Sequence, residues 1–218
     1  MTARRRRSSD WLFNLGADVY AWFTAQAAWR TSCAQLTAQL SLAPGAWVID
    51  LGCGPGVSTF ELARGLPTAR LVGLDIAPRM LAQARRRQRG RRGVWLRADA
   101  TCLPFLDGSV DACTGHSFLY LVGGRAAALA EAWRVLRIGG QLVLMEPSAR
   151  GASAAGVVAV SRDIRHLVSV SLWRPFSRLH GRFTPESLVR TLSDAGFADC
   201  HVGETLGGLG LLVRAVRP

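Results

Sequence analysis

The chain has 218 residues, 49% of them apolar, and a formal net charge of +12. That length suits one domain of ordinary size plus a short appendage, and that composition sustains a sizeable core, which excludes a disordered chain. No stretch reaches the ~18 uninterrupted apolar residues of a spanning helix, and the basic start lacks the apolar region and small-residue cleavage site of a secretory leader, so the cytoplasm is the expected location.

Every one of the 27 basic residues is arginine and none is lysine, which suggests a coding bias and weakens any step from charge to partner. The charge still favours anionic surfaces, whether nucleic acid or lipid head groups. Cys33, Cys53, Cys102, Cys113 and Cys200 are odd in number and share no paired spacing. They read as reduced thiols filling small apolar spaces, with no metal site and no disulfide framework.

Residues 1–43 open with four arginines at 4–7 and continue through Trp11, Phe13, Tyr20, Trp22, Phe23 and Trp29 into a helical pattern reaching Leu36 and Leu40. One or two helices are expected there. The arginine run beside Trp11, Leu12, Phe13 and Leu15 also has the basic-plus-apolar character of an anchor at a membrane surface. Pro44-Gly45 marks the boundary.

Apolar runs of strand length then alternate with amphipathic segments. Strands are expected at 46–51, 69–75, 94–99, 110–115 and 140–146, with helices near 57–64, 78–89 and 124–136. Such alternation predicts an α/β fold with a mostly parallel sheet covered by helices on both faces. Pro78 suits the first turn of its helix and Gly90 its end; Thr184-Pro185 starts a later helix and Gly196 ends it. The arginine cluster at 85–92 closes a helix, where the dipole favours positive charge. Residues 147–183 break the alternation and read as a helical insertion covering the open end of the sheet. Two late strands, about 197–204 and 209–216, predict an antiparallel hairpin closing one edge.

The stretch VIDLGCGPG (48–56) sets three glycines within five positions after the first strand. In a parallel sheet that loop borders the ligand crevice. A nucleoside-triphosphate loop needs a lysine, and the chain has none. A pyrophosphate loop needs G-x-G-x-x-G, whereas the spacing here is G-x-G-x-G, Val57 stands at the position of the third glycine and Pro55 removes an amide donor. A cationic nucleoside without phosphates remains, and acidic residues around the loop suit it. Asp50, Asp75 and Asp99 are expected to end the first three strands. Asp75 could accept from both ribose hydroxyls and Asp99 from an adenine amine; Asp50 could reach an amino-acid end or brace the loop.

VIDLGCGPG, LVGLDIAPRML, RADATCLPFLDGSVDAC and EAWRVLRIGGQLVLMEP, in that order, resemble the seven-stranded, Rossmann-like class I S-adenosylmethionine-dependent methyltransferases. The resemblance covers residues 44–147 by motif and extends to 218 by topology. It implies S-adenosylmethionine as methyl donor, with Asp50, Gly52, Gly54 and Gly56 around the methionine part, Asp75 and Ile76 at ribose and adenine, Met80 near the ring, and Asp99 and Ala100 at the adenine edge. It also divides the chain into a helical cap (1–43) and a methyltransferase domain (44–218) carrying a lid (148–183). Within the class the chain is similar to the type 11 group and to quinone and phospholipid methyltransferases, in which a W-R dipeptide precedes the glycine loop, as Trp29-Arg30 does here.

Methyl transfer from a sulfonium releases a neutral thioether, so positioning and exclusion of water supply much of the acceleration, and an acceptor that loses a proton also needs a base. His116, after the fourth strand, is the first candidate for catalysis or cofactor contact; His166 and His180 could reach acceptor from the insertion, and His201 reads as structural. Glu146 could touch acceptor or serve a structural hydrogen bond, and Cys53 reads as a packed residue. The expected acceptor is small and hydrophobic or amphiphilic: a quinone, a lipid head group or a secondary metabolite, met peripherally at an anionic membrane. A nucleic-acid methyltransferase and a non-catalytic cofactor-binding protein are the rival readings.

Overall fold

The computed structural model describes residues 21, 22, 24, 26–88, 90, 93–161 and 163–218. The arginine run at 4–7, the aromatics at 11–20 and Arg89, Arg91 and Arg92 of the later arginine cluster lie outside them. In chain order the elements are α1 (Ala27–Ala38), β1 (Trp47–Leu51), α2 (Val57–Gly65), β2 (Arg70–Asp75), α3 (Pro78–Arg87), β3 (Val94–Arg97), β4 (Val110–His116), α4 (Arg125–Val135), β5 (Leu136–Pro147), α5 (Ala154–Val160), α6 (Ile164–His180), α7 (Pro185–Asp194), β6 (Ala198–Thr205) and β7 (Gly210–Val216).

Seven strands form one sheet in the order β3-β2-β1-β4-β5-β7-β6. The first five run parallel, and β7 pairs antiparallel with both β5 and β6. Strand order reverses between β1 and β4, which opens the ligand crevice of such a sheet at their carboxyl ends.

Alternation along the strands divides the core. Ile49, Leu51, Cys113, Leu142 and Leu144 pack with Leu129 and Ala132 of α4 and Leu188 and Leu192 of α7. Their neighbours Val48, Ala112, Val143 and Met145 pack on the other side with Leu36 of α1 and Leu62 of α2. Strand residues one apart face opposite ways, so each apolar run feeds two layers. Leu36 is fully buried, and burying a leucine is worth about 1.5–3 kcal/mol; that contact ties α1 to the sheet.

Local chemistry fixes the ends. Pro78 stands at the start of α3, Thr184 and Ser187 form a reciprocal capping box on α7, and Gly196, at φ +89°, follows its last turn. Three expected boundaries shift. β3 stops at Arg97, because Asp99 turns its carboxylate back onto Thr101 and leaves the ladder. α3 ends at Arg87. β5 begins at Leu136, directly from α4, and Leu136 pairs with Val110 across the sheet.

The insertion after β5 is helical, as expected. It leaves and returns at one place: Ser148 bridges Phe183, the Phe183 amide donates to Pro147 O (2.9 Å) and the Ala149 amide to Phe183 O (2.7 Å). No helix among the described residues is long and apolar enough to cross a membrane.

Candidate donor and acceptor chambers at the carboxyl edge

The glycine loop turns its amides inward. Cys53 N–H donates to Leu74 O (3.0 Å), Gly54 N–H to Asp75 Oδ2 (2.8 Å) and Gly56 N–H to Cys53 O (3.0 Å). With Pro55 lacking a donor, the loop keeps no row of amides for a pyrophosphate, which agrees with its sequence. Gly52 and Gly56 adopt φ of +63° and +86°. A Cβ on Gly52 would lie 2.6 Å from the Phe118 ring and one on Gly56 2.7 Å from Trp95. Packing of the protein on itself therefore demands both glycines.

Asp50 is buried at the end of β1 and accepts from Ser58 Oγ (2.6 Å), Thr59 Oγ1 (2.6 Å) and Thr114 Oγ1 (3.1 Å). Burial raises its pKa to about 6 against these three hydroxyl bonds. Of the two roles open to it, the geometry is that of a brace, joining the loop, the first turn of α2 and β4. Asp75 accepts Gly54 N–H on Oδ2 and Ala77 N–H on Oδ1 (2.8 Å), so it latches the loop to the β2 turn. Ile76 beyond it is exposed, and Met80 and Ala100 are buried. Asp99 sits past the end of β3, its Oδ1 accepting from the Thr101 amide and hydroxyl.

Cys53 registers the field of these carboxylates. Its thiol is pushed well above the ordinary value by burial first, then by the charges of Asp75 and Asp50. A thiol so held is no nucleophile; burial opposes any charge there, while the two carboxylates favour a positive one.

Of the two roles open to Glu146, the geometry is that of the structural hydrogen bond. The side chain is fully buried, and its carboxylate receives the backbone amides of Phe118 (3.1 Å), Leu119 (2.7 Å) and Tyr120 (3.0 Å). Burial raises its pKa to about 7 against those amides. It pins the turn after β4, and Tyr120 in that turn receives the Trp173 indole N–H of α6 on its hydroxyl (3.3 Å).

His116 closes β4 and lies under α1. Its Nε2 meets Ser32 Oγ at 2.7 Å, and its ring centroid is 4.6 Å from that of Trp29. The single Ser32 proton goes to Trp29 O (2.8 Å), so His116 Nε2–H is the donor and Nδ1 carries the lone pair. That Nδ1 is buried and has no partner. Burial depresses the pKa to about 3, which keeps the ring neutral and makes it a weak base.

His116 lines a chamber with Gly52, Gly54, Pro55, Trp29 and Cys33. A second, narrow cleft lies between α1 and α6, with Gln26, Trp29, His166, Val170 and Trp173 among its walls. Trp29 is common to both. Sequence reasoning missed Gln26, Ser32 and Trp173, whose spacing carries no motif. The W-R dipeptide was visible, and its residues divide the work: Trp29 walls both chambers, while Arg30 pairs with Glu61 of α2 at 2.7 Å. His180 is bonded to Phe176 O at the end of α6 (2.9 Å), and His201 is exposed on the edge strand β6. No cluster among the described residues could hold a metal ion.

The family described as "Methyltransferase domain" matches residues 48–140. Demethylmenaquinone methyltransferase of Mycobacterium sp. (strain KMS) is 30% identical over 225 residues, covering 99% of this chain and 90% of that protein. That of Thermus thermophilus is 40% identical over 134 residues, 60% of each chain. Matched relatives from Streptomyces fradiae and Roseiflexus castenholzii are longer, and the chain spans 32% and 48% of them. Among solved structures, a chain from the complex of the Haloferax volcanii Trm112 methyltransferase activator with a methyltransferase superposes with TM-score 0.71 at 22% identity, covering 94% of this chain and 97% of that one. A SAM dependent methyltransferase from Aquifex aeolicus gives 0.66 at 16% identity, covering 85% and 89%. At those identities the structures bear on the fold. With 90% of the mycobacterial relative covered at 30% identity, and the seven-stranded order complete, the chain belongs to the class I S-adenosylmethionine-dependent methyltransferases.

Proposed function

We propose that this chain transfers a methyl group from S-adenosylmethionine to a small hydrophobic or amphiphilic acceptor of the quinone type. The observation that carries the reading is the chamber at the glycine loop, where inward-turned amides and the field of Asp50 and Asp75 suit a cationic nucleoside and the lone pair of His116 Nδ1 stands without a partner. The donor supplies an electrophilic methyl on a sulfonium that leaves as a neutral thioether. Asp75 holds the ribose hydroxyls, Ile76 and Met80 flank the adenine, Ala100 packs at its edge, and Asp99 takes its amine. Gly52, Gly54 and Gly56 shape the turn that receives the methionine part, and Asp50 keeps that turn rigid. His116, too weak a base to take a proton from an acceptor near neutral pH, accepts a hydrogen bond from the donor's ammonium group.

The names of the relatives support a quinone-type acceptor, as does the aromatic lining beneath α1 and α6. The test pairs calorimetry of S-adenosylmethionine binding with methyl release onto naphthoquinols, phospholipids and nucleic acid. Tight donor binding with turnover on the quinols is expected. Donor binding without turnover on any pool would leave a non-catalytic protein, and turnover on nucleic acid with a steep salt dependence would make it a nucleic-acid enzyme.

The acceptor reading extends to contact with an anionic membrane, for which α6 supplies the surface. Ile164, Val168, Leu172 and Leu179 form an outward stripe at helical spacing, 68%, 40%, 57% and 84% exposed. Arg174, Arg178 and Arg182 flank it without an acidic partner among the described residues. The Arg182 pKa is lowered, by burial first and then by its two arginine neighbours. An apolar stripe edged with uncompensated arginine suits an interfacial helix. Co-sedimentation with phosphatidylglycerol vesicles, absent with phosphatidylcholine and lost in Leu172→Glu/Leu179→Glu, is expected; equal sedimentation of the double variant would overturn it.

A further inference from the structure

We infer that the cleft between α1 and α6 is a binding site for a planar aromatic ring carrying hydroxyl groups, recognised by Gln26 and His166. The inference rests on the methyl-transfer reading for its physiological sense, since Trp29 joins this cleft to the chamber at the glycine loop.

The cleft is apolar except where Gln26, His166 and Ser169 enter it. Trp29 and Trp173 supply aromatic surface, and Val170, Leu206 and Leu209 supply aliphatic surface. The Trp173 N–H is engaged by the Tyr120 hydroxyl, so it is not a free donor for a ligand. Against this apolar lining, Gln26 Oε1 and His166 Nε2 are both buried and both lack a partner. A buried polar atom left unpaired costs about 1–3 kcal/mol, and two in one apolar cleft are a cost the fold has no reason of its own to carry.

What they lack can be deduced from their chemistry. Gln26 Oε1 only accepts. The His166 ring is kept neutral by burial, and its hydrogen-bonding neighbour is the Val157 carbonyl. A carbonyl takes a proton, and Nε2 is the nitrogen without a partner, so Nδ1–H faces Val157 and Nε2 presents a lone pair. Two buried acceptors without partners call for a ligand that brings hydrogens. A cation is unsuited, because the cleft holds no carboxylate to compensate it. Neutral hydroxyls on an aromatic ring satisfy both atoms and fit between indoles. The cleft is narrow, so ring entry parts α6 from α1.

The probe is naphthoresorcinol, a naphthalenediol that does not become a quinone by simple two-electron loss, with its dimethyl ether as control. Both are titrated into the whole protein holding S-adenosylhomocysteine, with tryptophan fluorescence as the readout. The diol is expected to bind at least about tenfold tighter than the ether. His166→Phe and Gln26→Leu should each lose most of that preference, while affinity for S-adenosylhomocysteine stays within about twofold. Gln26→Leu removes an unpaired buried atom, so its melting temperature should hold or rise; His166→Phe also gives up the bond to the Val157 carbonyl, so Gln26→Leu keeps the comparison independent of a damaged fold. Equal affinity for diol and ether in the wild type, or an undiminished preference in both variants, would overturn the inference. A protein that binds the donor but shows no diol preference loses this site alone; one with the preference but no affinity for S-adenosylmethionine loses the methyl-transfer reading alone.

Discussion

Around the glycine loop and the turn after β4 the carboxylates are met from within the chain: buried Asp50 by three hydroxyls, buried Glu146 by three amides, and half-buried Asp75 by an amide on each oxygen. Beneath the cap the pattern reverses. Gln26 Oε1, His116 Nδ1, Ser117 Oγ, Ser148 Oγ and His166 Nε2 are buried without partners, and all five lie at the carboxyl edge or on the helices over it. The floor of the site is thus finished by folding, and the chambers above it are left for a ligand to finish. Thr37 Oγ1 and Arg217 Nε are also buried without partners, so open polar groups gather at the chambers without being confined to them.

The sharpest way to break that contrast is at Asp75, which belongs to both sides of it. Asp75→Ala removes the latch on Gly54 and the proposed ribose contact together. A loss of about 2–4 kcal/mol in S-adenosylmethionine binding, roughly 30- to 1000-fold by calorimetry, is expected. Retained affinity would remove Asp75 from the donor site.

Glu146→Gln tests the finished floor. Two of its lone-pair sites become donors facing amides, so a loss of about 1–3 kcal/mol is expected by urea unfolding. The wild type also carries a pH signature. The folded pKa values of Glu146 and Asp50 are raised to about 7 and about 6, so their contribution to stability is fully present below the unfolded carboxyl values and is lost as pH rises through 6 and 7. The variant should lose the upper part of that slope, and an unchanged slope would show that Glu146 does not titrate there.

Gly52→Ala adds a methyl group against Phe118 at a left-handed position and should cost about 1–3 kcal/mol of stability in thermal unfolding, with donor binding weakened as the turn shifts. His116→Phe should give the smallest change in stability, within about 1 kcal/mol, because it removes one unpaired atom along with one hydrogen bond. Donor affinity should fall several-fold. Because His116 stays neutral above its depressed pKa, the pH profile of donor affinity between about 5.5 and 8 should have the same shape in wild type and variant, whereas an inflection near 6.5 present in the wild type and lost in the variant would show that His116 titrates there.

The parallel strands, the glycine turn and the helix caps were legible because each depends on residues adjacent in sequence. Pro78, the Thr184 cap and the spacing of Gly52, Gly54 and Gly56 act over a few positions. What the sequence hid was which polar groups are already satisfied. Asp50 needed Thr114, 64 positions away, and His116 needed Ser32, 84 away. Glu146 could be placed at the edge of the sheet, but not that the turn after β4 would direct three amides at it. Asp99 was expected to end β3, which stops at Arg97, because VWLRAD alternates like a strand while its Asx turn is a local competitor that periodicity does not register.

The staple between Ser148 and Phe183 carries a practical corollary. Since the inserted helical segment departs from and rejoins the scaffold at neighbouring backbone atoms, its two ends form a ready port for transplantation. A lid from another member of the family, spliced between Pro147 and Phe183, would inherit the donor chamber unaltered and meet it chiefly across Trp29, so acceptor choice could be re-engineered without rebuilding the sheet.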